Sequence, residues 1–99
     1  MDIASNDGTL LKEFKALGMR VVGIDPAKEI AARATSDGIE TWPEFFTAET
    51  AVRILDKHGY ARLVVANNAF AHADDLREIA LGAATLVRTL RGHFVFEVQ

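Results

Sequence analysis

Residues able to bind or transform a small molecule fall in short stretches at the ends of apolar runs. The first is Ala4-Ser5-Asn6-Asp7-Gly8, small and polar, placed just ahead of a helical apolar pattern. A glycine there lets the backbone approach a ligand closely, and the N–H groups opening a helix, helped by its dipole, can hold a carboxylate or phosphate. An ordinary tight turn uses the same residues. Asp7 suits either a cap of the following helix or the wall of a ligand crevice.

Asp25, followed by Pro26, ends the next apolar run, where a carboxylate can accept both hydroxyls of a ribose; the plainer alternative is a helix cap. Phe45 and Phe46, or Trp42, could stack on a planar ring, although aromatics beside a strand end more often line the core. Asn67 and Asn68 can hydrogen-bond a ligand's amino or hydroxyl groups, and they also suit a plain loop. His72 could exchange a proton with a substrate near neutral pH, or simply sit at a helix start with a local hydrogen bond. His58 and His93 stand apart at element boundaries and receive no role, and the scattered histidines without clustered carboxylates suggest no metal site.

The elements between these stretches decide whether they meet. Leu10, Leu11, Phe14 and Leu17 recur at helical spacing, with Lys12, Glu13 and Lys15 on the other face and Gly18 as a stop. Residues 20–25 are apolar and β-branched up to their acidic end, and Pro26 suits a first helical turn. A helix over 27–36, with Ile30, Ala31 and Ala34 on one face, closes at Asp37-Gly38 before a short strand over 39–42. Pro43 interrupts, and Thr47 caps a third helix carrying Ala48, Ala51, Val52 and Leu55 that ends near His58-Gly59. Residues 61–66 form a fourth strand. Asp74 or Asp75 then caps a fourth helix whose apolar face is Leu76, Ile79, Ala80, Ala83, Val87 and Leu90, and residues 93–98 make a fifth strand.

Short connections between alternating strands and helices demand right-handed crossovers, hence a parallel sheet with helices on both faces. Ligands of such sheets bind beyond the carboxyl ends of the strands where strand order reverses, and residues 4–8, Asp25 and residues 67–72 all fall at such ends.

The bulk composition narrows the function. Ninety-nine residues, 49% hydrophobic and 25% charged, suit one domain over 1–99 with a modest core. A net charge of -3 with eleven scattered Lys and Arg argues against nucleic acid as a partner. Without cysteine the chain can hold neither a disulfide nor a thiolate-bound metal, which is compatible with the cytoplasm. No apolar run approaches the roughly 20 residues that span a bilayer, so no membrane role is expected.

Together and in order, Asp2-Ile3-Ala4-Ser5-Asn6-Asp7-Gly8-Thr9-Leu10-Leu11, Gly23-Ile24-Asp25-Pro26, Ala66-Asn67-Asn68-Ala69-Phe70-Ala71-His72 and Phe94-Val95-Phe96-Glu97-Val98 resemble bacterial class I S-adenosylmethionine-dependent methyltransferases. Within that superfamily they look most like the C-methyltransferases of nucleotide-linked deoxysugars. The resemblance implies a three-layer, Rossmann-like, doubly wound parallel sheet of strand order 3-2-1-4-5, truncated before the usual strands 6 and 7. It implies that residues 4–8 wrap the methionine part of the cofactor and that Asp25, with Pro26 beside it, holds the ribose. Phe45 and Phe46 would border the adenine, and Asn67 and Asn68 would line the pocket. His72 matches a histidine implicated near the sugar. The implied reaction removes a proton next to a 4-keto group and transfers the sulfonium methyl to the resulting carbanion.

Three departures qualify the resemblance. Ala4 stands where the family loop has glycine, putting a methyl group where backbone and cofactor come closest. The family's cysteine-rich zinc module, sugar-binding half and downstream Tyr, Glu and His cluster are absent, so this stretch alone is expected to be inactive. The first strand is short. The exposed edge of strand 5 is an expected self-association surface. A non-catalytic remnant serving assembly is the second reading. An NAD-binding Rossmann domain is a third, disfavoured because Ala4-Ser5-Asn6-Asp7-Gly8 lacks the glycine pair of a pyrophosphate turn.

Overall fold

The computed structural model describes residues 1–3, 5, 8–67, 73–87 and 93–97. Strands and helices alternate: β1 (Asp2–Ile3), α1 (Thr9–Ala16), β2 (Gly23–Ile24), α2 (Lys28–Ser36), β3 (Thr41–Trp42), α3 (Ala48–His58), β4 (Leu63–Asn67), α4 (Ala73–Leu86) and β5 (His93–Glu97). Neighbouring strands follow the order β3-β2-β1-β4-β5. The α/β alternation and the order 3-2-1-4 agree with the sequence expectation. The chain divides into two compact units, Met1–Phe45 and Phe46–Gln99.

In the first unit, β2 pairs in parallel with β1 on one side and β3 on the other, in the register Asp2↔Gly23↔Thr41 and Ile3↔Ile24↔Trp42. The apolar run over 20–25 gives only a two-residue strand, because its neighbours β1 and β3 are themselves two residues long. α1 and α2 end alike. Gly18 and Gly38 take left-handed φ values of 88° and 94°, which only glycine adopts without cost. The glycine N–H then donates to a carbonyl three residues back and the next N–H to one five residues back: Gly18 to Lys15 and Met19 to Phe14, Gly38 to Thr35 and Ile39 to Ala34. These bonds satisfy carbonyls that a helix end otherwise leaves orphaned.

The second turn also builds the core. Ile39, directed inward by the α2 stop, packs with Leu11 and Ala34, and Val21 closes over them. Burying Leu11 and Ile39 stabilises the unit by roughly 1.5–3 kcal/mol each. Lys15 Nζ donates to the Gly38 carbonyl at 2.7 Å and so ties α1 to the end of α2. α1 buries Leu11 but leaves Leu10 and Leu17 exposed, Leu17 by 78%. In α2, Ala31 and Ala34 are buried and Ile30 is exposed.

In the second unit, α3 starts as expected. Thr47 Oγ1 accepts from the Thr50 N–H at 3.1 Å, and Gly59 closes the helix with its N–H on the Leu55 carbonyl. α3 packs against α4. The buried face of α3 is Thr50, Ala51 and Ile54, while Val52 is exposed. Among the described side chains of α4 the buried apolar positions are Ile79, Ala83 and Leu86, with Ala80 turned outward; the Leu76 side chain lies outside them. α4 begins at Ala73, so Asp74 and Asp75 fall within the helix and not at the capping position ahead of it. Leu90 lies outside the described residues. β4 and β5 pair in parallel from Leu63↔His93 to Asn67↔Glu97, and the Ala61 N–H reaches the Leu86 carbonyl at 2.9 Å.

Candidate functional site

β1 leads directly into the loop before α1. Ser5 is 95% buried at the end of β1: its N–H donates to the Ile24 carbonyl at 3.2 Å, and its carbonyl accepts from the Gly8 N–H at 3.0 Å. Its hydroxyl is buried without a hydrogen-bond partner among the described residues. Gly8 is the N-cap of α1, in the left-handed region at φ 82°, with its carbonyl accepting from the Lys12 N–H at 2.8 Å. A side chain on Gly8 would be strained at this φ and would meet Ile39 Cγ2 at 3.2 Å, close enough that Ile39 would have to give way. The N-cap of α1 is thus a residue with no side chain of its own to offer the helix start.

Asp25 follows β2 directly. Its Oδ1 accepts from the Ala27 N–H at 2.9 Å, a local turn that mimics a backbone turn. Ala27, not Asp25, is the N-cap of α2. A carboxylate accepts several bonds at once, so this turn is compatible with a ligand hydroxyl at the same group. Pro26 is exposed beside it.

Asp2 is a functional candidate that the sequence reasoning passed over. It lies inside β1, only 6% exposed, with its N–H on the Val22 carbonyl at 3.0 Å. Burial pushes its carboxyl up to about 6; the chain's amino group opposes that rise and the charge of Asp25 adds to it. The signal was present as an acid within an otherwise apolar strand, the kind of position where a carboxyl is retained for a purpose other than packing.

The first unit thus brings together Asp2, Ser5, Gly8 and Asp25. Phe45, at its end, is 74% exposed. Phe46 belongs to the second unit and is 6% exposed, its ring close against Gly82 of α4. Trp42 is half-buried, its indole N–H donating to Glu40 Oε2 at 2.9 Å. Asn67 is the last residue of β4. Ala4, Asn6, Asp7, Asn68 and His72 lie outside the described residues. Among the described residues, no group of three or more His, Asp or Glu is arranged to hold a metal ion, and no helix is long and apolar enough to cross a membrane.

No protein-family profile matches the chain. It is 42% identical over 87 residues to "C-methyltransferase NovU" of Streptomyces niveus, a match covering 88% of this chain and 21% of that protein. The chain therefore spans about a fifth of the length of the curated relative it matches. With that identity and its parallel α/β order, the chain is a methyltransferase-related domain, homologous to part of a C-methyltransferase.

Proposed function

We propose that this domain binds S-adenosylmethionine and forms the cofactor-binding core of a small-molecule methyltransferase, one that C-methylates a nucleotide-linked keto-deoxysugar in the parent enzyme. The observation that carries the proposal is the 42% identity to a C-methyltransferase across 88% of the chain. The local chemistry is consistent with it. A glycine-turned helix start suits the carboxylate of the methionine part, and a carboxylate at the end of β2 suits ribose hydroxyls.

In this reading residues 4–8 hold the methionine part, Asp25 and Pro26 the ribose, Phe45 and Phe46 the adenine side, and Asn67 and Asn68 the remaining wall. The cofactor supplies the activated methyl group. His72 acts on a substrate proton. The parent enzyme works in the cytoplasm, and the 99 residues alone bind without turning over. Self-association proceeds through the outer edge of β5, last in the strand order; sedimentation showing a clean monomer at high concentration would count against that part.

Calorimetric titration with S-adenosylmethionine and with its demethylated product tests the central claim. Heat with both is expected, and no heat with either overturns it. The second reading, a non-catalytic assembly module, draws on Ala4 in place of the family's loop glycine. Ala4→Gly strengthens cofactor binding if the first reading holds and leaves it absent if the second does.

A further inference from the structure

Gly23 opens the two-residue strand β2, between Val22 and Ile24 in an apolar run where a β-branched residue would serve the strand better. It is not one of the positive-φ glycines, so conformational freedom does not explain it. Space does. A Cβ on Gly23 would collide with Ser5 Oγ and would lie 3.0 Å from Ser5 Cβ and 2.9 Å from Leu11 Cδ1. Leu11 offers the flexible end of a side chain that can shift. Ser5 cannot move as easily, because its N–H is held by the carbonyl of Ile24, the residue next to Gly23.

Among the described residues the Ser5 hydroxyl has no hydrogen-bond partner, so none of their polar groups holds this side chain in its buried position. Its position rests on the backbone bond to β2 and on the room left by the missing side chain. Gly8 depends on Ser5 in turn, through its N–H on the Ser5 carbonyl.

We infer that Gly23 is a positioning residue for the ligand loop: the space over its Cα is the seat into which Ser5 folds, and Ser5 in that seat sets Gly8 at the start of α1. Its consequence for ligand affinity rests on the proposed cofactor; its consequence for the loop does not. The two are therefore separable.

The test uses the full 99-residue chain as wild type, Gly23→Ala, Ser5→Gly and the double variant. Amide hydrogen exchange is followed at Ser5 and Gly8, with Gly18 and Asp37 as controls, since their N–H groups bond to the Lys15 and Arg33 carbonyls within the turns that end α1 and α2. An overpacked seat should speed exchange at Ser5 and Gly8 by roughly tenfold to a hundredfold in Gly23→Ala, leave the controls nearly unchanged, and be relieved in the double variant. A purely structural loss would move all four amides together and would not be rescued. Unchanged exchange in Gly23→Ala, or a double variant as loose as Gly23→Ala, overturns the inference. If Gly23→Ala does not fold, recovery of the circular dichroism spectrum in the double variant supports the seat and failure to recover overturns it. Titration with S-adenosylmethionine is the second arm: binding lost in Gly23→Ala and regained in the double variant extends the seat to ligand affinity. A wild type that takes up no S-adenosylmethionine sinks the cofactor proposal while the exchange result still decides the seat.

Discussion

Asp2 carries its carboxyl inside a strand, and the sign of its effect on stability follows from the direction of its shift. Its ordinary value is 3.8, and burial raises it to about 6 in the folded chain. Between those values the folded state keeps a proton that the unfolded state has lost, so stability falls as pH rises from about 4 to about 6 and the penalty then stays constant. Asp2→Asn should remove that fall and stabilise the chain at pH 7 by up to about 3 kcal/mol, read from urea unfolding of both proteins across that pH range. A parallel pH profile for the two would refute the assignment. Gly8 makes a second residue-scale prediction. With φ at 82° and Ile39 Cγ2 3.2 Å from a built Cβ, Gly8→Ala should cost roughly 1–3 kcal/mol, whereas alanine at an ordinary glycine would be neutral or better.

At the scale of elements, helix boundaries were readable because caps are local chemistry. Thr47, Gly18, Gly38 and Gly59 stop or start helices through bonds to residues at most five positions away. The buried faces were less readable. Each helix was expected to bury a stripe, yet Leu10, Leu17, Ile30, Val52 and Ala80 are exposed, while Ile54 and Leu86 are buried. Periodicity marks which residues share a face, but a neighbour of limited width decides how much of that face is covered. α4 offers a test in which propensity and packing oppose each other. Gly82→Ala should gain about 1 kcal/mol from helix propensity, but a Cβ there would meet Phe46 Cε2 at 2.6 Å and Cζ at 2.9 Å. The ring is buried, so a net loss of roughly 1–3 kcal/mol is expected, with Phe46→Leu restoring part of it in the double variant. A stabilised Gly82→Ala would mean the ring moves aside freely.

For the whole molecule, binding and folding are linked. A ligand that binds only the folded chain adds about 2.7 kcal/mol at a hundredfold excess over its Kd, so S-adenosylmethionine should raise the melting temperature in step with the logarithm of its concentration. A melting temperature indifferent to the cofactor would argue against the proposed function. The order of elements, the parallel pairing and the methyltransferase relationship were all legible in the chain before any coordinates, because alternation, short connections and an ordered set of loop residues are properties of sequence. So was the loop of residues 4–8 as a place to look.

What the sequence by itself determined, then, is a parallel α/β domain with its polar loop after β1 and an acid after β2. The tertiary structure alone decided that the Ser5 hydroxyl is buried without a partner among the described residues, that Asp2 is a buried acid influenced by Asp25, and that Gly23 is small because Ser5 occupies the space above it. The physical reason is range. Caps, turns and alternation are set within a few residues, whereas the contacts that explain Gly23 and Asp2 join positions about twenty residues apart, which come within reach only when β1 and β2 pair.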